Sequence, residues 1–424
     1  MKQLVGVLLI YLMAPIDIAF TQQHLVNHDS LRIDLNQMLN DLESSYVYFE
    51  DKHIDISCLR DFYSQRIKLV STKQEALLLF EYLLDEFYDS HLMLNANSYY
   101  SYRLHSPVYC QIREGDFYIQ QVWLSQISNL DENILGAKVL TFNHQDFDSV
   151  IDSFPTHCQD KNNPIIREWI ANKVLAGRYS ETRKVKLALA DGKQITINLD
   201  SFNYHPNSSN LSCKKIGDFG YIRINNSLGN NDLIRDFDRA LDSFIDTDGL
   251  ILDLRNTVGG GNTYVARGIM GRFITERLPY QVHWIEEQYG SGPKIPRSWQ
   301  EFVTARAKTY HQPVIVLVGR WTGSMGEGLA IGLEALDVGL VVGTEMERLA
   351  GSMYGIPFLY QNYQYRIAKE KIFHVNGIAR EAYIPKYYVP QHDINKDEAL
   401  EKALKILKKK KPHQFMFFRR RRNN

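Results

Sequence analysis

The hydrophobic and polar positions of the chain fall into three successive patterns. Between residues 29 and 90 apolar side chains recur at helical spacing, which predicts a helical region that includes a helix over 73–88. Residues 98–153 carry short alternating runs, which predict strands and a short helix over 147–154. Residues 183–200 alternate on both sides of a glycine turn, as in a β-hairpin.

From Phe219 onward the pattern alternates between short apolar runs and amphipathic stretches. Such alternation predicts a βα-layered domain. A polar and aromatic stretch at about 278–312 interrupts it and is interpreted as an insertion covering the site. The predicted strands are 219–224, 250–254, 314–318 and 338–342, and the predicted helices are 232–245, 263–273 and 325–336.

Two of these strands end in segments suited to chemistry. One leads to the triplet Gly259-Gly260-Gly261, and the other leads to Ser324 at the start of a helix. Sites in open α/β sheets lie where strands end, and a hydroxyl facing backbone N–H groups is the minimum for acyl transfer. Each segment also has a plain structural interpretation. Ser324 and Glu327 match a helix capping box, and glycines suit a tight turn.

A serine nucleophile needs a base. No lysine occurs between Ser324 and Lys369, which disfavours a serine–lysine dyad with the base soon after the serine. His91 follows Ser90 at the end of an apolar helix and is the candidate base. A single histidine in such a place is more often a structural residue.

A carboxylate, Glu381, lies in the segment 376–385, where a glycine turn precedes an apolar strand that enters a proline. The alternative for Glu381 is an ion pair with Arg380 or Lys386 on a solvent-exposed face.

Length and charge exclude some classes of protein. A chain of 424 residues holds two or three domains. Lys plus Arg and Asp plus Glu both number 49, so nothing favours a nucleic-acid partner. The basic residues at 405–424 predict a solvated tail.

The N-terminal residues 1–21 combine a positive start with an apolar run, which is typical of a signal peptide. Export to the periplasm or the extracellular space follows, with a mature chain starting near Thr21 or Gln22 and no stable membrane insertion after cleavage. An uncleaved membrane anchor is the alternative. In an exported chain the cysteines form one or two disulfides, and otherwise they are free thiols. They are Cys58, Cys110, Cys158 and Cys213.

Together these segments resemble the C-terminal processing, or tail-specific, serine peptidases. Residues 254–260 resemble that family's Leu-Arg-x-x-x-Gly-Gly loop, and Ser324 occupies the place of its nucleophile. The adjacent Ser90-His91 pair and Glu381 resemble the branch similar to the tricorn-protease core. The resemblance implies Ser324 as nucleophile, His91 as base, Ser90 orienting His91, Glu381 polarising Ser90, and an oxyanion hole from the amides of Gly260 and Met325.

The resemblance also implies an α/β fold with a crotonase/ClpP-like catalytic domain. A glycine-led strand, turn and short helix at 98–160 resemble a PDZ module, which binds peptides at a sheet edge, although a plain β-rich insert is the alternative. The predicted division is a signal peptide (1–21), a helical region (22–97), the PDZ-like module (98–160), a β-hairpin linker region (161–215), the catalytic domain (216–404) and the basic tail (405–424).

The predicted function is a serine endopeptidase that cleaves peptides or unfolded proteins through an acyl-enzyme, without cofactor or metal. Two alternatives belong to other classes. The first is a binding protein on the same fold that has lost catalysis, since fold does not imply function. The second is a crotonase-like thioester enzyme. Such an enzyme would need a coenzyme A site, and no segment of the sequence indicates one.

Overall fold

The computed structural model describes residues 26–205 and 208–409. The predicted signal peptide at 1–21 lies outside these residues, and so does the basic tail beyond residue 409. Within the two described ranges, no helix has both the length and the apolar character needed to cross a bilayer.

Three helices form the N-terminal region, as the apolar spacing predicts. Asn27 caps the first helix, and Thr72 and Glu75 form a capping box at the third. Their apolar faces share one core with Tyr365 and Ile367 of a strand from the C-terminal half, which anchors the region to the rest of the molecule. The helices are α1 (His28–Ser45), α2 (Ile56–Ile67) and α3 (Lys73–Asp85).

The middle of the chain is a β-rich module with two helices. Its antiparallel sheet has the order β2-β3-β5-β7-β8, with β6 paired to β5 and a separate β4–β9 pair. The elements, after the short strand β1 (Met93–Leu94), are β2 (Val108–Arg113), β3 (Asp116–Val122), β4 (Ile127–Ser128), β5 (Lys138–Phe142), β6 (Gln145–Asp146), α4 (Phe147–Asp152), α5 (Pro164–Ala176), β7 (Lys184–Ala188), β8 (Gln194–Asn198) and β9 (Asn203–Tyr204).

The predicted boundary at residue 160 divides this module. The hairpin β7–β8, assigned above to a linker, pairs with β5 and buries Val185 and Leu187 in the same core as Phe147. Alternating apolar residues need a sheet to pack on, and β5 supplies it. Residues 108–202 therefore form one unit.

The predicted catalytic domain is built on a six-stranded sheet of order β10-β11-β12-β15-β16-β19, parallel from β11 to β19. Because β12 and β15 are neighbours, the loops after their carboxyl ends begin side by side. Helices α6, α7 and α8 share one core with the sheet, and α9 packs in another. The elements are β10 (Leu211–Ile216), β11 (Phe219–Ile224), α6 (Asp232–Asp242), β12 (Leu250–Asp253), α7 (Thr263–Met270), β13 (Leu278–Glu287), β14 (Ile295–Val303), β15 (Val314–Val318), α8 (Met325–Ala335), β16 (Gly339–Gly343), β17 (Ser352–Pro357), β18 (Gln364–Phe373), β19 (Tyr387–Tyr388) and α9 (Glu398–Lys409).

The predicted insertion at 278–312 contains the hairpin β13–β14, which pairs with β18 in a second sheet of order β1-β18-β13-β14. Gln281 and His283 of β13 line the same cavity as Ser324, so the hairpin forms part of the wall of the site. The predicted start of the basic tail differs from the structure. Residues 405–409 are the last turn of α9, and Leu407 is buried, so the basic tail begins later than residue 405.

One disulfide, Cys58–Cys158, joins α2 to the segment after α4. Cys110 is buried and free, and Cys213 is exposed and free. Of the alternatives left open by the sequence, a single disulfide is therefore the one formed. It ties the helical region to the β-rich module.

Candidate active site

Ser324 lies at the end of the loop that follows β15 and begins α8. Its backbone has φ 49° and ψ −111°, a conformation that non-glycine residues rarely adopt and that costs on the order of 1–3 kcal/mol. A bridge between Thr257 and Thr322 joins this loop to the glycine loop after β12. Neighbouring structure thus holds a half-buried serine in a strained strand-to-helix turn.

Glu327 does more than cap the helix. Its carboxylate accepts from the backbone N–H of Ser324 at 2.8 Å, of Arg348 at 2.9 Å and of Leu349 at 3.1 Å. Burial raises the pKa of Glu327 to about 8, while the Arg380 guanidinium opposes that rise. The capping interpretation is correct for Glu327, and the same side chain ties the nucleophile turn to the loop after β16.

The glycine loop is held by Arg255 and Asn256, which lie between β12 and the glycines. Arg255 pairs with Asp253 at 2.6 Å and with Asp397 at 2.7 Å. The Oδ1 of Asn256 accepts a hydrogen bond from the indole N–H of Trp123 at 3.1 Å. Trp123 belongs to the β-rich module. The Trp123 ring also stacks on Trp321 at 5.2 Å. The module therefore packs against both loops of the site.

Gly260 lies against Ser324. A Cβ atom at Gly260 would stand 2.4 Å from the Ser324 Cβ and 2.9 Å from its Oγ, and φ at Gly260 is +61°. The Gly260 amide, expected to be open, donates to the Thr257 carbonyl at 3.1 Å. Met325 is different, because its amide has no acceptor among residues 26–205 and 208–409.

His91 is buried, with only 6% of its surface exposed, and its Nδ1 lies 2.8 Å from the carbonyl oxygen of Ala350. A carbonyl only accepts, so Nδ1 carries the proton and Nε2 keeps its lone pair. Burial lowers the pKa of His91, and the Arg380 guanidinium lowers it further. His91 is therefore a neutral imidazole at neutral pH, in the form that a base requires.

Ser324, His91 and Ser90 line one cavity of about 630 Å³. Glu381 and Ser90 line a neighbouring cavity of about 480 Å³. The two cavities share a wall made by Ser90, Leu104, His105 and Glu347. The fold thus brings the four predicted residues, which span 291 positions of the chain from Ser90 to Glu381, to two adjoining cavities.

Ser90 and Glu381 have other neighbours than the resemblance implies. The exposed Ser90 accepts from the Trp169 indole N–H at 3.1 Å. The half-buried Glu381 has a buried Oε2 atom that finds no hydrogen-bond partner in the described part of the chain. Its carboxylate lies beside Tyr48, whose pKa is raised by burial and by Glu381. Within the described ranges, Glu381 forms no ion pair, so the alternative of a surface salt bridge is not observed.

The sequence does not predict the roles of three residues of the site, which are Glu347, His105 and Arg380. Glu347 lies 3.3 Å from His105, and its second oxygen is buried without a partner in the described part of the chain. Arg380 lines the Ser324 cavity as a buried cation. The sequence pointed to Arg380 only through its position directly before Glu381. Glu347 and His105 lie in loops whose positions depend on the tertiary fold, so the local sequence does not indicate that they belong to the site.

Comparison with known proteins gives a family match and several similar folds. Residues 218–387 match the family model of peptidase family S41. In fold, the chain is similar to mature CPAF, with TM-score 0.61, 13% identity, and coverage of 90% of this chain and 96% of that one. It is also similar to the photosystem II D1 C-terminal processing protease, with TM-score 0.52, 14% identity, and coverage of 85% and 93%. A search of curated protein sequences finds no match.

The match over residues 218–387 is to a family of serine peptidases, which makes serine peptidase the class of this protein. Its fold is that of the solved C-terminal processing proteases, as the resemblance implies. The family acts on peptides or proteins, which makes these the class of substrate.

Proposed function

We propose that the protein is an endopeptidase that cleaves peptides or unfolded proteins through an acyl-enzyme, with Ser324 as nucleophile and His91 as base. The observation that carries the proposal is the shared cavity, in which a strained serine turn meets a buried neutral histidine. Nε2 of His91 takes the hydroxyl proton as Oγ attacks the substrate carbonyl, and it then returns that proton to the leaving amine. Water next releases the acyl group by the same route.

The oxyanion of the tetrahedral intermediate binds at the start of α8. The Met325 amide is the first donor, because it has no acceptor among the described residues and lies at a helix N-terminus. The Gly260 amide is the second, and it shares its proton between the Thr257 carbonyl and the oxyanion. The close packing of Gly260 on Ser324 supports this arrangement.

A histidine base sets the acid side of the pH profile. His91 acts in its neutral form, and burial together with Arg380 lowers its pKa. A lowered pKa keeps the neutral form populated at lower pH, so kcat/KM should rise with a midpoint below about pH 6.5, the ordinary value for histidine. Initial rates on a fluorogenic peptide between pH 4 and 10 provide the measurement. A rise appearing only above about pH 9 points to a lysine base instead.

Ser90 and Glu381 are proposed to act as one unit on His91, with Glu381 polarising Ser90. Support comes from the cavity of about 480 Å³ that both residues line and from the buried oxygen of Glu381 that lacks a partner in the described part of the chain. Glu381→Gln should lower kcat more than it raises KM, and adding Ser90→Ala should cost little more, because coupled residues are not additive. Additive losses in the double variant contradict the unit, and unchanged turnover in Glu381→Gln removes Glu381 from the mechanism.

Export is proposed from the N-terminal sequence and the disulfide. The Cys58–Cys158 bond suits an oxidising compartment, where such bonds form and persist. N-terminal sequencing of protein from its native host should give a start near Thr21 or Gln22. An intact Met1 on cytosolic protein rules the proposal out.

A further inference from the structure

Arg380 is a buried cation in the wall of the Ser324 cavity, with 5% of its surface exposed. It forms no ion pair with a described carboxylate, and its Nε has no acceptor in the described part of the chain. Its Nη2 instead donates to the carbonyl of Leu349 at 2.7 Å and of Gly351 at 2.6 Å. A buried guanidinium is costly unless it is paired or hydrogen-bonded, so these two carbonyls are what stabilise the charge of Arg380 in this position.

The two carbonyls that Arg380 binds flank Ala350. The Ala350 carbonyl oxygen accepts the hydrogen bond from His91 Nδ1 and so orients the imidazole. Arg380 therefore binds the loop at the residue before Ala350 and at the residue after it. From the other direction, Glu327 accepts from the amide of Leu349. The loop is therefore held through its carbonyls by Arg380 and through the amides of Arg348 and Leu349 by Glu327.

Arg380 also acts on His91 by its charge, which opposes a second positive charge on the imidazole. Asp89, beside His91 in the chain, and Glu347, from the loop after β16, act in the opposite sense. The other groups that sense the charge of Arg380 are Glu327 of α8 and the phenols of Tyr48 and Tyr280. No other arginine or lysine figures among the main influences on His91.

We infer that Arg380 is a positioning residue for the proposed base: it fixes the Ala350 carbonyl against His91 Nδ1 and places a buried positive charge in the wall of the cavity that His91 lines. The inference rests on the proposed role of His91. Arg380 acts through that histidine and through the loop, and it takes no part in the proton transfers.

The test separates charge from geometry by comparing two substitutions. Arg380→Gln removes the charge and most of the N–H donors, whereas Arg380→Lys keeps a charge on a side chain that ends short of the position from which Nη2 reaches both carbonyls. The control is Arg272→Lys, a buried arginine paired with Asp238 and Asp242 in the same domain and absent from the cavity wall. The histidine rings are titrated by NMR, with the His91 signal assigned from its loss in His91→Gln, and kcat and KM are measured against pH.

In Arg380→Gln the pKa of His91 should rise, the acid limb of the rate profile should move to higher pH, and kcat should fall by about 10- to 100-fold, as misplacement of a catalytic group does elsewhere. In Arg380→Lys kcat should fall with the acid limb near its original place. Arg272→Lys should change neither.

An unchanged titration of His91 in folded Arg380→Gln overturns the inference. If Arg380→Gln does not fold, Arg380→Lys decides, and normal kcat in that variant overturns it equally. The NMR titration needs no turnover. A raised pKa of His91 in a protein whose Ser324 proves unreactive would therefore leave the inference on Arg380 standing while the proposed function fails.

Discussion

Ser324→Ala is expected to abolish peptide hydrolysis, with a fall in kcat of about 10⁴-fold or more, as nucleophile removal causes in other serine peptidases. The reason is that the Ser324 hydroxyl is the one that lies against Gly260 in the strained turn at the start of α8. Folding should survive, because the turn is held by Glu327 and by the Thr257–Thr322 bridge, neither of which uses the Ser324 Oγ. Burst and steady-state kinetics, with thermal unfolding alongside, provide the measurement.

A matched control for that substitution is Ser243→Ala in the same domain. The Ser243 hydroxyl bonds the Ala240 carbonyl at the end of α6, and its side chain does not line the Ser324 cavity. It should keep normal turnover. Residual activity of the Ser324→Ala variant above one-hundredth of wild type would move the nucleophile elsewhere.

Gly260→Ala is expected to cause the second-largest loss, with turnover falling by about 10²- to 10³-fold. The new methyl group would stand 2.4 Å from the Ser324 Cβ and 3.0 Å from the Met325 nitrogen. Relief of that clash must displace the nucleophile, the proposed oxyanion donor or the glycine loop. The positive φ adds a further cost of about 1–2 kcal/mol in stability for any residue with a Cβ.

The chain offers a control for the backbone cost alone. Gly217 has φ +59°, close to the +61° of Gly260, but a Cβ atom there meets nothing within 4 Å. Gly217→Ala should therefore lose a similar amount of stability from its backbone and keep its turnover. Equal turnover in the two variants would mean that close packing at Gly260 does not support catalysis.

Much of the fold was readable from periodicity. The strands at 219–224 and 314–318 have their predicted bounds, and the helix at 325–336 is one residue shorter than predicted. Buried parallel strands read as short continuous apolar runs, and glycine or a polar cap ends each one. The predicted boundary at residue 160 was wrong because strand pairing is non-local. The sequence of 184–198 predicts a hairpin but does not indicate that this hairpin pairs with residues 138–142.

The candidate site was predictable in part, and for a related reason. Ser324, Gly260 and Glu327 lie in the loops and the helix start that follow β12 and β15. In such places an apolar run followed by glycines or a capping serine is enough to predict a candidate site. The assignment of Ser90, His91 and Glu381 came from resemblance, and their roles stay predictions. Arg380 and Glu347 were missed because their functions depend on burial and on contacts with loops far away in the chain. The engaged Gly260 amide likewise follows from a turn that sequence alone does not specify.

The central claim is that Ser324 is the reactive nucleophile, and one measurement tests it most directly. Purified protein is treated with a fluorophosphonate, digested, and the adduct located by mass spectrometry, with His91→Ala treated in parallel. The account predicts a single adduct on Ser324, greatly reduced in His91→Ala because the hydroxyl then lacks its base. An adduct on another residue, or no adduct on protein that hydrolyses peptide, would contradict it.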